Sequence, residues 1–213
     1  GNLEEAQQNL ANATAEVLTK NAKSLVLGGG HEVTFAHYSG IRKAFPNQKI
    51  GIINIDAHFD NRENDEPTSG TGFRQIANEG TIHSLHIGIQ RNSNTLKLFD
   101  TAHQTGMKYI LADEIFFENL PSVYLKIDEL ADSVDVLYLT ICMDVFNAAI
   151  APGVSAPAYN GIFADAAFMH FYKHILKNEK LVALDVAEVN PNYDLQDRTA
   201  RLAASLINEW FMA

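Results

Sequence analysis

Lys49-Ile50-Gly51-Ile52-Ile53-Asn54-Ile55 runs straight into Asp56-Ala57-His58-Phe59-Asp60. The first seven residues show no polar alternation, so they read as a strand buried on both faces. Such strands belong to parallel sheets covered by helices on both sides. The abrupt change from isoleucine to carboxylate and imidazole marks the place where that strand leaves the core.

The same pattern recurs on either side. Apolar runs at residues 24–27, 84–89, 108–111, 135–141 and 180–186 read as five further strands. Helical patterns lie at 4–21, 32–45, 73–78, 95–104, 123–131, 164–177 and 198–211, with a long loop at 145–161. Pro46, Gly80 and Gly106 supply stops. Alternating strands and helices predict an α/β fold with a mainly parallel, doubly wound sheet between two helical layers. The 213 residues suit one domain spanning 1–213, without repeats or linkers. A parallel sheet that opens with a helix suggests a preceding strand outside this chain.

Composition narrows the function. Hydrophobic residues are 46% and charged residues 20%, which excludes a disordered chain. Sixteen Lys and Arg against 26 Asp and Glu give a net charge of −10, which disfavours a phosphate-backbone partner. Cys142 is the single cysteine, so no intrachain disulfide forms, and a cytoplasmic location fits. No apolar run approaches the ~20 residues of a membrane span. The first residues, Gly1-Asn2-Leu3-Glu4-Glu5, lack the basic and apolar regions of a signal peptide.

Open α/β sheets bind ligands beyond the carboxyl ends of their strands. In an extended Asp56-Ala57-His58-Phe59-Asp60, alternate side chains face one way and place three ligands on one cation. Mixed carboxylate and imidazole suit Mn²⁺, Fe²⁺ or Zn²⁺. The competing reading is a polar turn with Asp60 capping the next element. His31 follows Gly28-Gly29-Gly30, where glycine is expected if a metal or substrate crowds the backbone. A flexible turn opening a helix is the alternative there. No GxxxxGK[ST] or GxGxxG spacing supports a nucleotide. His170 and His174 lie four apart, but Phe171 stands where a zinc hydrolase needs Glu, so they read as a helix face. His37, His83, His86 and His103 receive no role, and residues 128–132 read as a solvated helix end.

Taken together, these motifs resemble the arginase/ureohydrolase superfamily. Gly28-Gly29-Gly30-His31-Glu32 is similar to its first metal motif, and Asp56 to Asp60 to its second. Cys142-Met143-Asp144, with Ala151-Pro152-Gly153-Val154-Ser155-Ala156-Pro157, is similar to the third. Asp185-Val186-Ala187-Glu188-Val189-Asn190-Pro191 is similar to the fourth. The resemblance implies a three-layer α/β/α fold and a two-manganese centre that hydrolyses amidine or guanidine C–N bonds. GGGHE in place of GGDHS resembles the formimidoylglutamase branch. So do Arg62 after Asp60-Asn61, the stretch Gln90 to Thr95, and Phe73 where arginases carry histidine. That branch converts N-formimidoyl-L-glutamate to L-glutamate and formamide in histidine breakdown.

The resemblance further implies metal ligands at His31, Asp56, His58, Asp60 and Asp144, with Cys142 at the sixth position, where the family has a bridging Asp. It implies Asp60 as a proton carrier. Glu188 suits a cationic amidinium, the alternative being a strand-end carboxylate with a structural partner, and Arg62 suits a substrate carboxylate because its planar fork pairs bidentately. Arg74 and Asn94 are further candidate substrate contacts that, taken alone, read as structural. The expected partners are a small-molecule substrate and further copies of the chain, with no nucleic acid or membrane. Cys142 and the absence of the family's amino-terminal region leave two other outcomes open. One is a metal-poor relative serving as a binding or assembly subunit. The other is an amidinohydrolase for a different guanidino acid.

Overall fold

The computed structural model describes residues 2–213. In chain order the elements are α1 (Leu3–Thr19), β1 (Ser24–Leu27), α2 (Val33–Ala44), β2 (Ile50–Ile55), α3 (Gly72–Asn78), β3 (His83–Ile89), α4 (Leu96–Thr105), β4 (Lys108–Leu111), α5 (Leu120–Ser133), β5 (Val136–Cys142), α6 (Ala166–Leu176), β6 (Leu181–Ala187) and α7 (Arg198–Met212). All six strands pair in parallel in the order β1-β6-β5-β2-β3-β4. The α/β architecture expected from the sequence is the one observed.

The two-residue period of a strand divides the core in two. Ile53 and Ile55 of β2 pack with Leu139 of β5 and with Val123, Ile127 and Phe171 from α5 and α6. Ile50 and Ile52 face the other way, toward Leu18, Ile41, Phe73 and Ala102 from α1 to α4. Every residue of β2 and β5 is buried, which explains the absence of polar alternation. The first helical layer is drawn together at Gly40, where a Cβ would sit 2.5 Å from Thr14 Cβ and 2.7 Å from the Ala11 carbonyl oxygen. Glycine there lets α1 and α2 touch almost backbone to backbone.

Several boundaries differ from the sequence expectation for local reasons. α5 begins at Leu120 rather than 123, with Pro121 in its first turn, where a missing N–H costs nothing. α6 begins at Ala166, because the Asp165 side chain caps it by accepting from the Phe168 N–H at 3.0 Å. β5 and β6 each run one residue further, to Cys142 and Ala187. Short 3₁₀ turns at Ser69–Thr71, Ala112–Glu114, Phe117–Asn119 and Met143–Val145 carry no apolar period and were not foreseen. Among the described residues no helix is long and apolar enough to cross a membrane.

The chain leaves edge strand β1 and starts again at β2, three strands away, and later fills the gap with β5 and β6. The carboxyl ends of β1, β6, β5 and β2 therefore line up along one edge. The motif residues follow those four ends.

Candidate metal centre

The turn after β1 delivers His31, the turn after β2 delivers Asp56, His58 and Asp60, the end of β5 delivers Cys142 and Asp144, and the end of β6 delivers Glu188. His31 Nδ1 lies 3.0 Å from Asp56 Oδ2 and 2.8 Å from Asp60 Oδ2. His58 Nδ1 lies 3.2 Å from Asp144 Oδ2 and 3.5 Å from Asp56 Oδ1. Ligand atoms of His31, Asp56 and Cys142 all fall within 4.8 Å of one another, as do those of Asp56, His58 and Asp144. Asp56 is common to both groups. The Asp56-to-Asp60 segment is thus not one extended row facing one cation. The strand stops at Ile55 and Asp60 turns back with φ 46°, so Asp56 serves both groups, His58 only the second, and Asp60 lies outside both, against His31 Nδ1.

Charge is the main energetic constraint here, because acids and imidazoles are packed together out of water. Burial opposes the charging of His31, but Asp56 and Asp60 outweigh it and hold the imidazolium well above its ordinary range. For His58, burial is again overcome, by Asp144 and Asp56, and the pKa stands at about 11. Burial works against the Asp56 carboxylate too, yet its hydrogen bonds to His31 and His58 hold it low. Burial and the charge on Asp56 raise Asp60 and lift Asp144 to about 6. Burial, with the nearby acids, pushes the Cys142 thiol well up. Without a cation, protons neutralise the cluster. Asp144 Oδ1 is nonetheless buried with no hydrogen-bond partner. Three carboxylates and a thiolate balance two divalent cations in charge, and the two groups together offer N, O and S donors suited to such ions. The residues fit a two-metal centre.

The groups open on a cleft of about 210 Å³ that also receives Arg62, Ser155 and Glu188. Glu188 is fixed from two sides: Oε1 accepts the His31 backbone N–H at 3.1 Å and Oε2 accepts the Ser155 hydroxyl at 2.7 Å. Its backbone is left-handed, with φ 67°. Arg62 makes no ion pair among the described residues, whereas Arg74 pairs with Glu63 at 3.8 Å. A groove of about 530 Å³ beside Gln90 and Phe163 is larger but lacks this chemistry.

Two residues named from the sequence lie elsewhere. Arg74 sits on α3 outside the cleft lining, held toward Glu63. Asn94 is buried and its amide is spent: Nδ2 donates to the Ala57 and Gln90 carbonyls at 2.9 and 2.8 Å, and Oδ1 accepts the Phe59 N–H at 3.1 Å. It clamps the Asp56-to-Asp60 turn instead of facing a ligand. The three glycines are not crowded by the centre either. A Cβ on Gly28 would strike the Val33 side chain at 2.8 Å, and one on Gly30 would strike the Glu32 carboxylate.

Other residues were missed. Thr140, two before Cys142 and so on the same strand face, pairs with His31 Nε2 at 2.8 Å. It donates to Asp185 Oδ1 at 2.5 Å. Asp185 Oδ2 accepts from Tyr138 and from His37 Nδ1, the latter at 2.8 Å, and His37 Nε2 meets Ser24 Oγ at 2.5 Å. His37 therefore has a role, as the far end of a buried chain that orients His31. His86 is also engaged, between Asn54 and Ser84 at 3.1 Å each. The period-2 rule could have found Thr140. Nothing local could have paired His37 with an acid 148 positions away.

The model of the arginase family matches residues 1–213. The chain belongs to the arginase family. It is 44% identical to a formimidoylglutamase of Staphylococcus carnosus over 97% of this chain and 67% of that one. It is 38% identical to a formimidoylglutamase of Staphylococcus haemolyticus over 99% and 68%. The chain thus spans about two thirds of the length of these relatives. Its fold superposes on the crystal structure of a Bacillus subtilis formimidoylglutamase with a TM-score of 0.90 at 24% identity, covering 97% of this chain and 66% of that one. A Bacillus caldovelox arginase gives 0.85 at 23%, over 98% and 75%. A Trypanosoma cruzi formiminoglutamase variant, solved with Mn²⁺, gives 0.87 at 22%, over 99% and 71%. These solved neighbours share the three-layer arrangement described above.

Proposed function

We propose that the protein hydrolyses N-formimidoyl-L-glutamate to L-glutamate and formamide, breaking a linear amidine C–N bond in a cytoplasmic step of histidine breakdown. The observation that carries the reading is one cleft with an anchored acid, Glu188, and an unpaired guanidinium, Arg62, flanking the ligand cluster. A substrate with an amidinium at one end and carboxylates at the other matches that polarity. The identity with formimidoylglutamases supports the same substrate.

His31, Asp56, His58, Asp60, Asp144 and Cys142 would hold two divalent cations, Mn²⁺ among them. When bound, such a pair supplies a water of lowered pKa as nucleophile. Glu188 holds the amidinium by charge-assisted hydrogen bonds, with lone pairs left after His31 N–H and Ser155 are served. Arg62 fixes the substrate's carboxylate with its planar fork. Asp60, at the mouth of the cleft, would carry a proton to the departing amine nitrogen. Attack at the formimidoyl carbon and loss of that amine place the water oxygen in formamide and the proton on glutamate.

The test is product analysis with N-formimidoyl-L-glutamate, L-arginine and agmatine offered separately to the Mn²⁺-loaded protein. Equimolar formamide and glutamate from the first alone are expected. Urea release from arginine or agmatine would overturn the substrate assignment.

A further inference from the structure

Cys142 joins only one of the two ligand groups. Its Sγ lies with His31 and Asp56, while Asp56, His58 and Asp144 form the other group without it. The groups share one carboxylate and differ in the rest: imidazole and thiol on one side, imidazole and a second carboxylate on the other. His31, Asp56 and Cys142 are each at most 1% exposed. The sulfur therefore sits in the enclosed part of the centre, held by the last residue of a fully buried strand. Asp144, at the other group, keeps its Oδ1 buried and unpartnered, which independently points to a ligand in this cleft.

Imidazole and carboxylate accept Mn²⁺ and Zn²⁺ alike, though every such site holds zinc more tightly. Thiolate widens that gap, because soft sulfur adds much to Zn²⁺ and little to Mn²⁺. We infer that the centre is built for two unlike ions: a thiophilic divalent cation of the zinc class on His31, Asp56 and Cys142, and a harder ion such as Mn²⁺ on Asp56, His58 and Asp144. The thiol gives its proton to solvent as the sulfur–metal bond forms. This inference rests on the two-cation reading above and adds which ion each group selects.

The experiment uses the full chain after chelator treatment. Titration with Co²⁺ should give a sulfur-to-cobalt charge-transfer absorption that saturates at one ion per chain, with a second Co²⁺ binding silently. Cys142→Ser and Cys142→Asp should abolish the band while circular dichroism keeps the native shape. Separately, Zn²⁺ is added to Mn²⁺-loaded protein and bound metal is counted by mass spectrometry. Displacement should be biphasic, the first ion exchanging at about tenfold lower Zn²⁺ or less, since even an outer partner of a ligand is worth ten- to a hundredfold. In Cys142→Asp the two phases should merge. Cobalt bound by the wild type without the band overturns thiolate ligation, and single-phase displacement in the wild type overturns the selectivity. Neither outcome needs a variant that folds. Failure to bind any divalent ion would instead sink the two-cation reading, which distinguishes the two failures.

Discussion

Replacing Asp185 by Asn changes one atom in the middle of the buried chain that ends at His31. Asp185 is fully buried and accepts three hydrogen bonds, from Thr140, Tyr138 and His37. Bonds to a charged acceptor are worth about 1.5–3 kcal/mol and neutral ones about 0.5–1.5, so three such exchanges lose about 3 kcal/mol. The new NH₂ also points a donor at groups that already donate. In a chain of this length each kcal/mol moves Tm by about 2–4 °C, so Asp185→Asn should melt roughly 6–12 °C lower. Thr140 passes the disturbance to His31 Nε2, and loss of such an outer contact typically weakens metal binding by about 10–100-fold. Thermal unfolding of the metal-free protein and a Mn²⁺ binding isotherm measure the two effects apart. A destabilisation under about 1 kcal/mol, with unchanged Mn²⁺ affinity, would refute the reasoning and reduce the network to close packing.

Arg62→Ala should raise KM for N-formimidoyl-L-glutamate by about ten- to a hundredfold, the equivalent of about 1.5–3 kcal/mol, and leave Tm unchanged because the side chain is exposed; steady-state kinetics beside a melt decides it. Burial, helped by the charge on His31 and opposed by Asp56, holds His86 at about 3, well under its unfolded value near 6.5. The unfolded chain therefore binds this proton first, and the contribution is present above pH 6.5 and lost as pH falls toward 3, about 2 kcal/mol by pH 5. Asp144, lifted to about 6, titrates inside that window in both proteins, so the difference between wild type and His86→Gln in urea unfolding at pH 6.5 and 5 isolates the His86 contribution. Gly40→Ala should destabilise by about 1–3 kcal/mol through overpacking against Thr14 and the Ala11 carbonyl, and limited proteolysis should then cut α1 first.

Some of this was legible in the sequence and some could not be. Each strand was found within one residue at either end because burial on both faces leaves an apolar run that nothing interrupts, as in Ile50–Ile55. The residues after the strand ends were legible because several carboxylates and imidazoles follow such runs, and the carboxyl ends of a parallel sheet are where ligands bind. The sheet order was not legible, since no local pattern says that β5 and β6 lie between β1 and β2. The partners of His37, the spent amide of Asn94 and the pairing of Arg74 with Glu63 escaped for the same reason. Each depends on which distant side chain arrives beside it, and that is decided by the topology.

Asp60 and Glu188 stand in left-handed backbone, where a side chain costs about 1–2 kcal/mol and glycine costs nothing. Folding and chemistry thus make opposite demands at the same two positions. A design procedure asked only for thermal stability would write glycine at both and would erase two acids from the cleft while improving its score. In a descendant freed from the reaction, the same two replacements would be open to drift, each favoured by the backbone it relaxes. The identity of residues 60 and 188 then dates the loss of activity more sharply than the core does, because the isoleucines of β2 are retained by any lineage that still needs to fold.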